Sequence, residues 1–273
     1  MLRRLLLLLL VLALLPAAAA PQLKLRRHSS ARAPLPWSHA LQGAMVELQR
    51  HGAGGYSTDD TAKQALKNAF RWDEVRRRPR FDARTARPSF CSAAVYAAVL
   101  SALLRWEESR GQRLISPEAW QALLPQLVPD GVGAWGYANA NGPGYALLIA
   151  RLGAGVSFTD WAQARPGDVA KLWWNDAIGA GERGHLVVLV QDEGEQFRFW
   201  SANMARDGQH AGYGIRRLPK SAVRRVLFTR ITRPAAFNNA ARLPNEPWLT
   251  ELMRSDTDWP TCCAMLRLQT RRN

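Results

Sequence analysis

The chain changes its apolar period once, at Asp168. Before that residue, apolar side chains recur at helical spacing: Leu41, Met45 and Leu48, then Val95, Val99, Ala102, Leu103 and Trp106. After it they approach alternation, through 169–174, 186–190, 197–202 and 214–218. The two periods place apolar groups on one helix stripe or on one sheet face. Helices first and an antiparallel meander afterwards make an α+β plan.

Punctuation refines this plan. A helix is expected over 37–51, followed by a Gly-rich turn over 52–56. Ser57-Thr58-Asp59-Asp60 then caps a helix running to about Val75, and Arg76-Arg77-Arg78-Pro79-Arg80 ends it as a solvated boundary. Further helices are expected over 91–110, from Ser116-Pro117 onward, and over 145–152. Residues 131–144 are dense in glycine and small side chains and read as a long loop. The stretch 222–231 reads as one more strand or a short helix. After Pro234 the tail carries Trp248 and Trp259 without periodicity and is expected to fold back over the core.

The N-terminus has Arg3 and Arg4, an apolar run over 5–15, and Pro16 followed by alanines to Ala20. That pattern is a secretory signal, expected to be cleaved near Ala20. The apolar run is shorter than the roughly 20 residues a membrane span needs, so no stable membrane insertion is expected once the signal is removed. The mature chain is then exported, to a periplasm or the extracellular space. Residues 21–35 are basic and rich in Pro and Ala. The expected organisation is a signal over 1–20, a basic and helical extension over 21–80, a main domain over 81–232 and a tail over 233–273.

The net charge is +15, carried mainly by arginine. Such a balance draws a protein to polyanions. Export argues against nucleic acid and for an anionic envelope polymer; solubility alone also accounts for the charge. Three cysteines are too few for a disulfide scaffold, so the fold must rest on an apolar core. No His-Glu-x-x-His, paired Cys-x-x-Cys or phosphate-cradling loop occurs, so neither a metal nor another cofactor is expected.

Cys91 opens an apolar helix, and Gly184-His185 leads an apolar strand. A thiol attacks well only as thiolate, which a helix N-terminus and a nearby imidazole both favour. An inert core cysteine is the plain alternative, but such a residue need not stand at a helix start. Of the five histidines, only His185 is preceded by glycine and followed by a five-residue apolar strand. It is the candidate general base and acid. A third group should orient the imidazole. Alternation puts Phe197, Phe199, Ser201 and Asn203 on one face of the next strand, so Asn203 is the first choice and Ser201 the second.

Cys91-Ser92, Pro166-Gly167-Asp168 and Gly184-His185 stand in an order that resembles the NlpC-type cell-wall peptidases and CHAP amidohydrolases of the papain-like superfamily. The resemblance covers roughly residues 88–231. It implies a papain-like fold, with the Cys helix packed on a C-terminal antiparallel sheet that carries the His. It also implies a hydrolase that cleaves amide bonds in peptidoglycan, and an Asn in the orienting role. Phe90 stands where that family commonly has Asp, and no Tyr or Gln just before Cys91 offers an oxyanion donor.

Asp168 is expected to hold the turn before its strand rather than to act as an acid. Trp135, Asn139 and Asn141 in the Gly-rich loop, and Trp174 on a strand, are the candidate substrate contacts. Two other readings stay open: a catalytically silent scaffold that binds envelope polyanions, and a thiol acyltransferase or thioesterase using the same Cys and His.

Overall fold

Residues 36–51, 54–206 and 208–268 are described by the structure, a computed structural model. The expected signal over 1–20 and the basic stretch over 21–35 lie outside these residues. The chain is α+β. Helices α1 (Trp37–His51) and α2 (Asp60–Ala69) are followed by a hairpin of β1 (Phe70–Asp73) and β2 (Arg78–Phe81). Four helices come next: α3 (Cys91–Arg110), α4 (Pro117–Leu123), α5 (Gly133–Asn139) and α6 (Gly144–Leu152). The strands β3 (Gly155–Phe158), β4 (Val169–Trp173), β5 (Ile178–Gly179), β6 (Gly184–Asp192), β7 (Gln196–Asn203), β8 (Gly212–Pro219) and β9 (Arg225–Ile231) complete the main part. After a 3-10 stretch at Pro234–Arg242, the chain ends with α7 (Pro247–Glu251), β10 (Asp256–Thr257) and α8 (Trp259–Leu266).

Among the described residues one antiparallel sheet has the order β3-β9-β4-β6-β7-β8. Its two faces are both covered. Val169, Trp173, Leu186, Val188, Trp200 and Ala202 share the main core with the helices. Ala170, Leu172, Val187, Leu189, Phe197 and Phe199 form a second cluster under Phe158 and Trp161. Burial on both faces explains why the alternation of these strands is incomplete, with apolar residues also at successive positions.

Helix α3 is buried around most of its circumference, from Ser92 to Trp106. A helix apolar on all sides belongs inside a core, and this one has α1 on one flank and β6 and β7 on another. Buried Glu107 ties its far end down, accepting from the N–H groups of Leu114 and Ile115 at 2.7 and 2.8 Å and from Trp120 Nε1 at 3.1 Å. Helix α1 contributes Leu41 and Leu48 to the same core, and the tail adds Phe237, Leu249, Leu252, Cys262 and Leu266.

The sequence expectations differ from the structure at three places. Helix α2 stops at Ala69, not near Val75, because 70–81 pairs with itself as a hairpin. Asp73 closes its turn, accepting from the N–H groups of Val75 and Arg76 at 3.0 Å each and from Arg80 Nε at 2.5 Å. The stretch 131–144 is not a loop throughout but holds α5. Its glycines serve internal packing: a Cβ on Gly136 would lie 2.5 Å from Pro129 O, and one on Gly144 would lie 2.4 Å from Tyr137 O. Strand β3 was not foreseen; it pairs with β9, which settles 225–231 as a strand. The tail folds back over the core as expected, through short elements that its sequence shows no period for.

Candidate active site

Helix α2 is capped by Asp59, α4 by Ser116 and α8 by Asp258. Helix α3 has Phe90 at its cap and no side-chain acceptor there. Its first N–H groups and the positive end of its dipole are therefore left for whatever stands beside Cys91. Phe90 itself is held by Trp135, with ring centroids 6.3 Å apart and an edge-on approach.

Cys91 is half-buried and stands close enough to His185 for that residue to act on its thiol. Burial pushes the thiol up. His185, through its side chain and its charge, the N–H of Leu186 and the Lys171 charge together outweigh that and bring it down to about 7. A substantial thiolate fraction at neutral pH follows.

His185 is placed by β6, whose pairing with β4 sets His185 opposite Leu172. Its Nε2 lies 3.1 Å from Asn203 Oδ1. Both hydrogens of the Asn203 amide are taken, by the carbonyls of Ser201 and Gly214 at 3.0 Å each. The amide must then present its oxygen to the ring, so Nε2 carries a proton and Nδ1 is left to face the thiol. Phe199 closes one side of the imidazole edge-on, with centroids 5.8 Å apart. Cys91, His185 and Asn203 thus stand in one chain of neighbours, with His185 acting on the thiol and hydrogen-bonded to Asn203.

Ser201, the other residue considered for the orienting role, does not belong to that chain. It is fully buried, and its hydroxyl donates to Leu186 O at 2.8 Å. Asp168 is buried and accepts from Arg165 N at 2.7 Å and from Arg230 at 2.8 and 2.7 Å, a turn-holding arrangement. Cys262 and Cys263 are buried free thiols on α8.

Two recesses flank the Cys91–His185 pair. The smaller, about 340 Å³, is lined by Cys91, Ser92, Asn139, Asn141 and Lys171. The larger, about 650 Å³, opens on His185, Asn203, Trp174 and Phe199. Tyr56 and Gly184 line both.

Of the expected substrate contacts, Asn139 reaches the smaller recess, where it accepts from Ser92 Oγ at 3.1 Å and donates to Asp130 at 2.7 Å. Asn141 lines the same recess while donating to Gly179 O at 2.9 Å. Trp174 walls the larger one, its ring 6.4 Å from that of His185. Trp135 does not line either. It is 3 % exposed and packs against Phe90 and Tyr96, because α5 turns it inward.

Tyr56 was not singled out by sequence. A short parallel pairing joins its segment to Ser89, with Ser57 N donating to Ser89 O at 3.1 Å. That pairing sets Tyr56 beside the start of α3. Burial and then the Cys91 charge push its hydroxyl up to about 12, so it remains a donor at neutral pH. No spacing rule links residues 56 and 91, so no sequence signal points to this placement.

Among the described residues no group of three or more His, Cys, Asp or Glu could hold a metal ion, and no helix is long and apolar enough to cross a membrane. A scan against protein-family models gave no match, and searches of curated proteins and of solved structures gave none either.

Proposed function

We propose that the protein is an exported thiol hydrolase of papain-like plan that cleaves amide bonds in peptidoglycan peptides. The observation that carries this reading is the chain from the Cys91 thiol through His185 to Asn203, set at an uncapped helix start. A buried inert cysteine would have its thiol raised by its surroundings, as Cys262 has; the Cys91 thiol is lowered.

The chemistry proceeds in two steps. The Cys91 thiolate attacks the amide carbonyl, and its carbon–oxygen π electrons move onto oxygen. The Cys91 N–H and the Tyr56 hydroxyl are the donors for that oxyanion. As the carbon–nitrogen bond breaks, protonated His185 gives its proton to the departing amine, which leaves a thioester on Cys91. Water then loses a proton to His185 and attacks the thioester. The carbon–sulfur bond breaks, the acid departs and the thiolate–imidazolium pair is restored. Asn203 keeps the ring in one tautomer and orientation throughout.

Peptidoglycan as substrate comes from the resemblance of residues 88–231 to the NlpC-type and CHAP enzymes, and export from the N-terminal segment. The full chain is incubated with purified sacculi and the soluble fragments are mapped by mass spectrometry. New amine and acid ends should appear with the wild type and be absent with Cys91→Ala. Equal release by both proteins would sink the reading.

A further inference from the structure

The Cys91–His185 pair stands where the two recesses meet, and general acid chemistry tells them apart. A group that protonates the leaving nitrogen must lie within hydrogen-bond reach of it. Whatever that nitrogen carries therefore runs past His185 into the larger recess, while the acyl part stays on the Cys91 side. The larger recess is thus the leaving-group side. This assignment rests on the thiol-hydrolase reading above.

Three arginines line that recess, Arg206, Arg216 and Arg217. Arg216 is on β8 directly opposite Phe199 of β7, the residue whose ring packs edge-on against His185. Residues paired across neighbouring strands share a face, so the Arg216 side chain lies on the His185 side of the sheet. The residue is half-buried. Its guanidinium donates from one end to Ile215 O at 3.3 Å and from the other to His210 O at 2.7 Å. Both acceptors are neutral carbonyls.

Its situation contrasts with that of other arginines of this chain. Arg217, also at this recess, pairs with Glu193 at 2.6 Å. Arg224 is paired with Asp176 and Arg230 with Asp168. Among the described residues no carboxylate neutralises Arg216. Burial alone shifts its titration, and it shifts it downward, whereas Arg224 and Arg230 are shifted upward by their acid partners. A guanidinium bonded only to two neutral carbonyls among the described residues, with its charge facing a groove, can receive an oxyanion. Trp174 and Phe199 supply the apolar walls between that charge and the imidazole.

We propose that Arg216 selects substrates whose leaving amine bears a carboxylate, and that it does so by pairing with that carboxylate in the recess beside His185. An amine of this kind is an amino acid or the N-terminal residue of a short peptide. Arg216 acts on binding of the leaving group and takes no part in proton transfer.

The test uses aminolysis, which brings an amine into the leaving-group site in the reverse sense. Cys91 of the full chain is acylated with p-nitrophenyl acetate, and the burst of p-nitrophenolate counts competent sites. The acetyl-enzyme is offered L-alanine or L-alaninamide at equal concentrations of unprotonated amine. The amine nitrogen attacks the thioester carbon, His185 takes the proton and the Cys91 thiolate departs. The readout, per burst, is N-acetyl product formed from each amine.

The wild type should favour alanine, with Arg216→Gln lowering the alanine-to-alaninamide ratio about tenfold, the worth of one charge-assisted hydrogen bond. The loss should appear as weaker saturation by alanine rather than a lower limiting rate. Arg216→Lys should keep part of the preference, which separates a charge requirement from a fold defect. A full burst with the same ratio in wild type and Arg216→Gln would overturn the proposal while the hydrolase reading stands. No burst in the wild type beyond that of Cys91→Ala would remove that reading, and this proposal with it.

Discussion

Asn203 Oδ1 stands 3.1 Å from His185 Nε2, while both hydrogens of the same amide are held by backbone carbonyls. The amide cannot rotate its NH₂ toward the ring without breaking two bonds. Position and tautomer of the imidazole are therefore set by the sheet itself, through β7 and β8. This is how a residue distant in sequence from the thiol controls which ring nitrogen meets it.

Asn203→Ala should still fold, at a stability cost from the two lost bonds to Ser201 O and Gly214 O, and should lose ring orientation. The cost in turnover should be about a hundredfold, the scale of a misplaced catalytic group. Ser201→Ala should instead lower stability by about 1 kcal/mol through the lost bond to Leu186 O, with turnover retained. Denaturant midpoints confirm that each variant is folded under assay and kcat separates the two; a large kcat loss in folded Ser201→Ala would give the orienting role to Ser201.

The rate of Cys91 alkylation by iodoacetamide should rise with a midpoint near pH 7 in the wild type. In His185→Ala, burial still raises the thiol while its main stabilising partner is gone, so the midpoint should move above the ordinary 9.0. Burial and the neighbouring Cys263 push Cys262 up to about 12, and burial raises Cys263, so both should stay silent below pH 8. Mass mapping of the labelled thiol reads all three. A midpoint indifferent to His185 would end the ion-pair description.

Tyr56→Phe removes one hydroxyl beside Cys91 and leaves the ring. If that hydroxyl meets the oxyanion, kcat should fall about a hundredfold with KM little changed. The alkylation midpoint of Cys91 should hardly move, since Tyr56 is not among the groups that lower it. A rise in KM alone would make Tyr56 a wall of the recess only.

Trp135→Ala should cost about 3–5 kcal/mol, as a buried indole lost from a core does. Urea denaturation measures it. Activity at low temperature should fall as well, since Trp135 backs Phe90 at the cap of α3. A stable variant with a raised KM would restore the substrate-contact role.

Cys91, His185 and Asn203 were legible because each carries a local signal. The thiol starts a long apolar helix, the imidazole follows glycine at a strand start, and strand alternation carries Asn203 to the same end of the sheet. The hairpin at 70–81 was hidden because its arginine-rich turn reads as a helix end, while the turn is closed by the Asp73 carboxylate accepting from the N–H groups of Val75 and Arg76. Trp135 was misjudged because glycines that permit approach to a ligand equally permit helix-to-backbone packing, and here they do the latter.

The chain's periodicity by itself determined the order of helices before strands, the buried character of α3 and the ends at which thiol and imidazole stand. Those are properties of neighbours along the chain, governed by spacing of 3.6 or two residues. Tertiary structure alone decided that Tyr56 lies beside Cys91, that Arg216 shares a recess with His185 and that Ser201 turns to a carbonyl instead of the ring. Each depends on pairing between segments far apart in sequence, where register and packing select the contact and local pattern is silent.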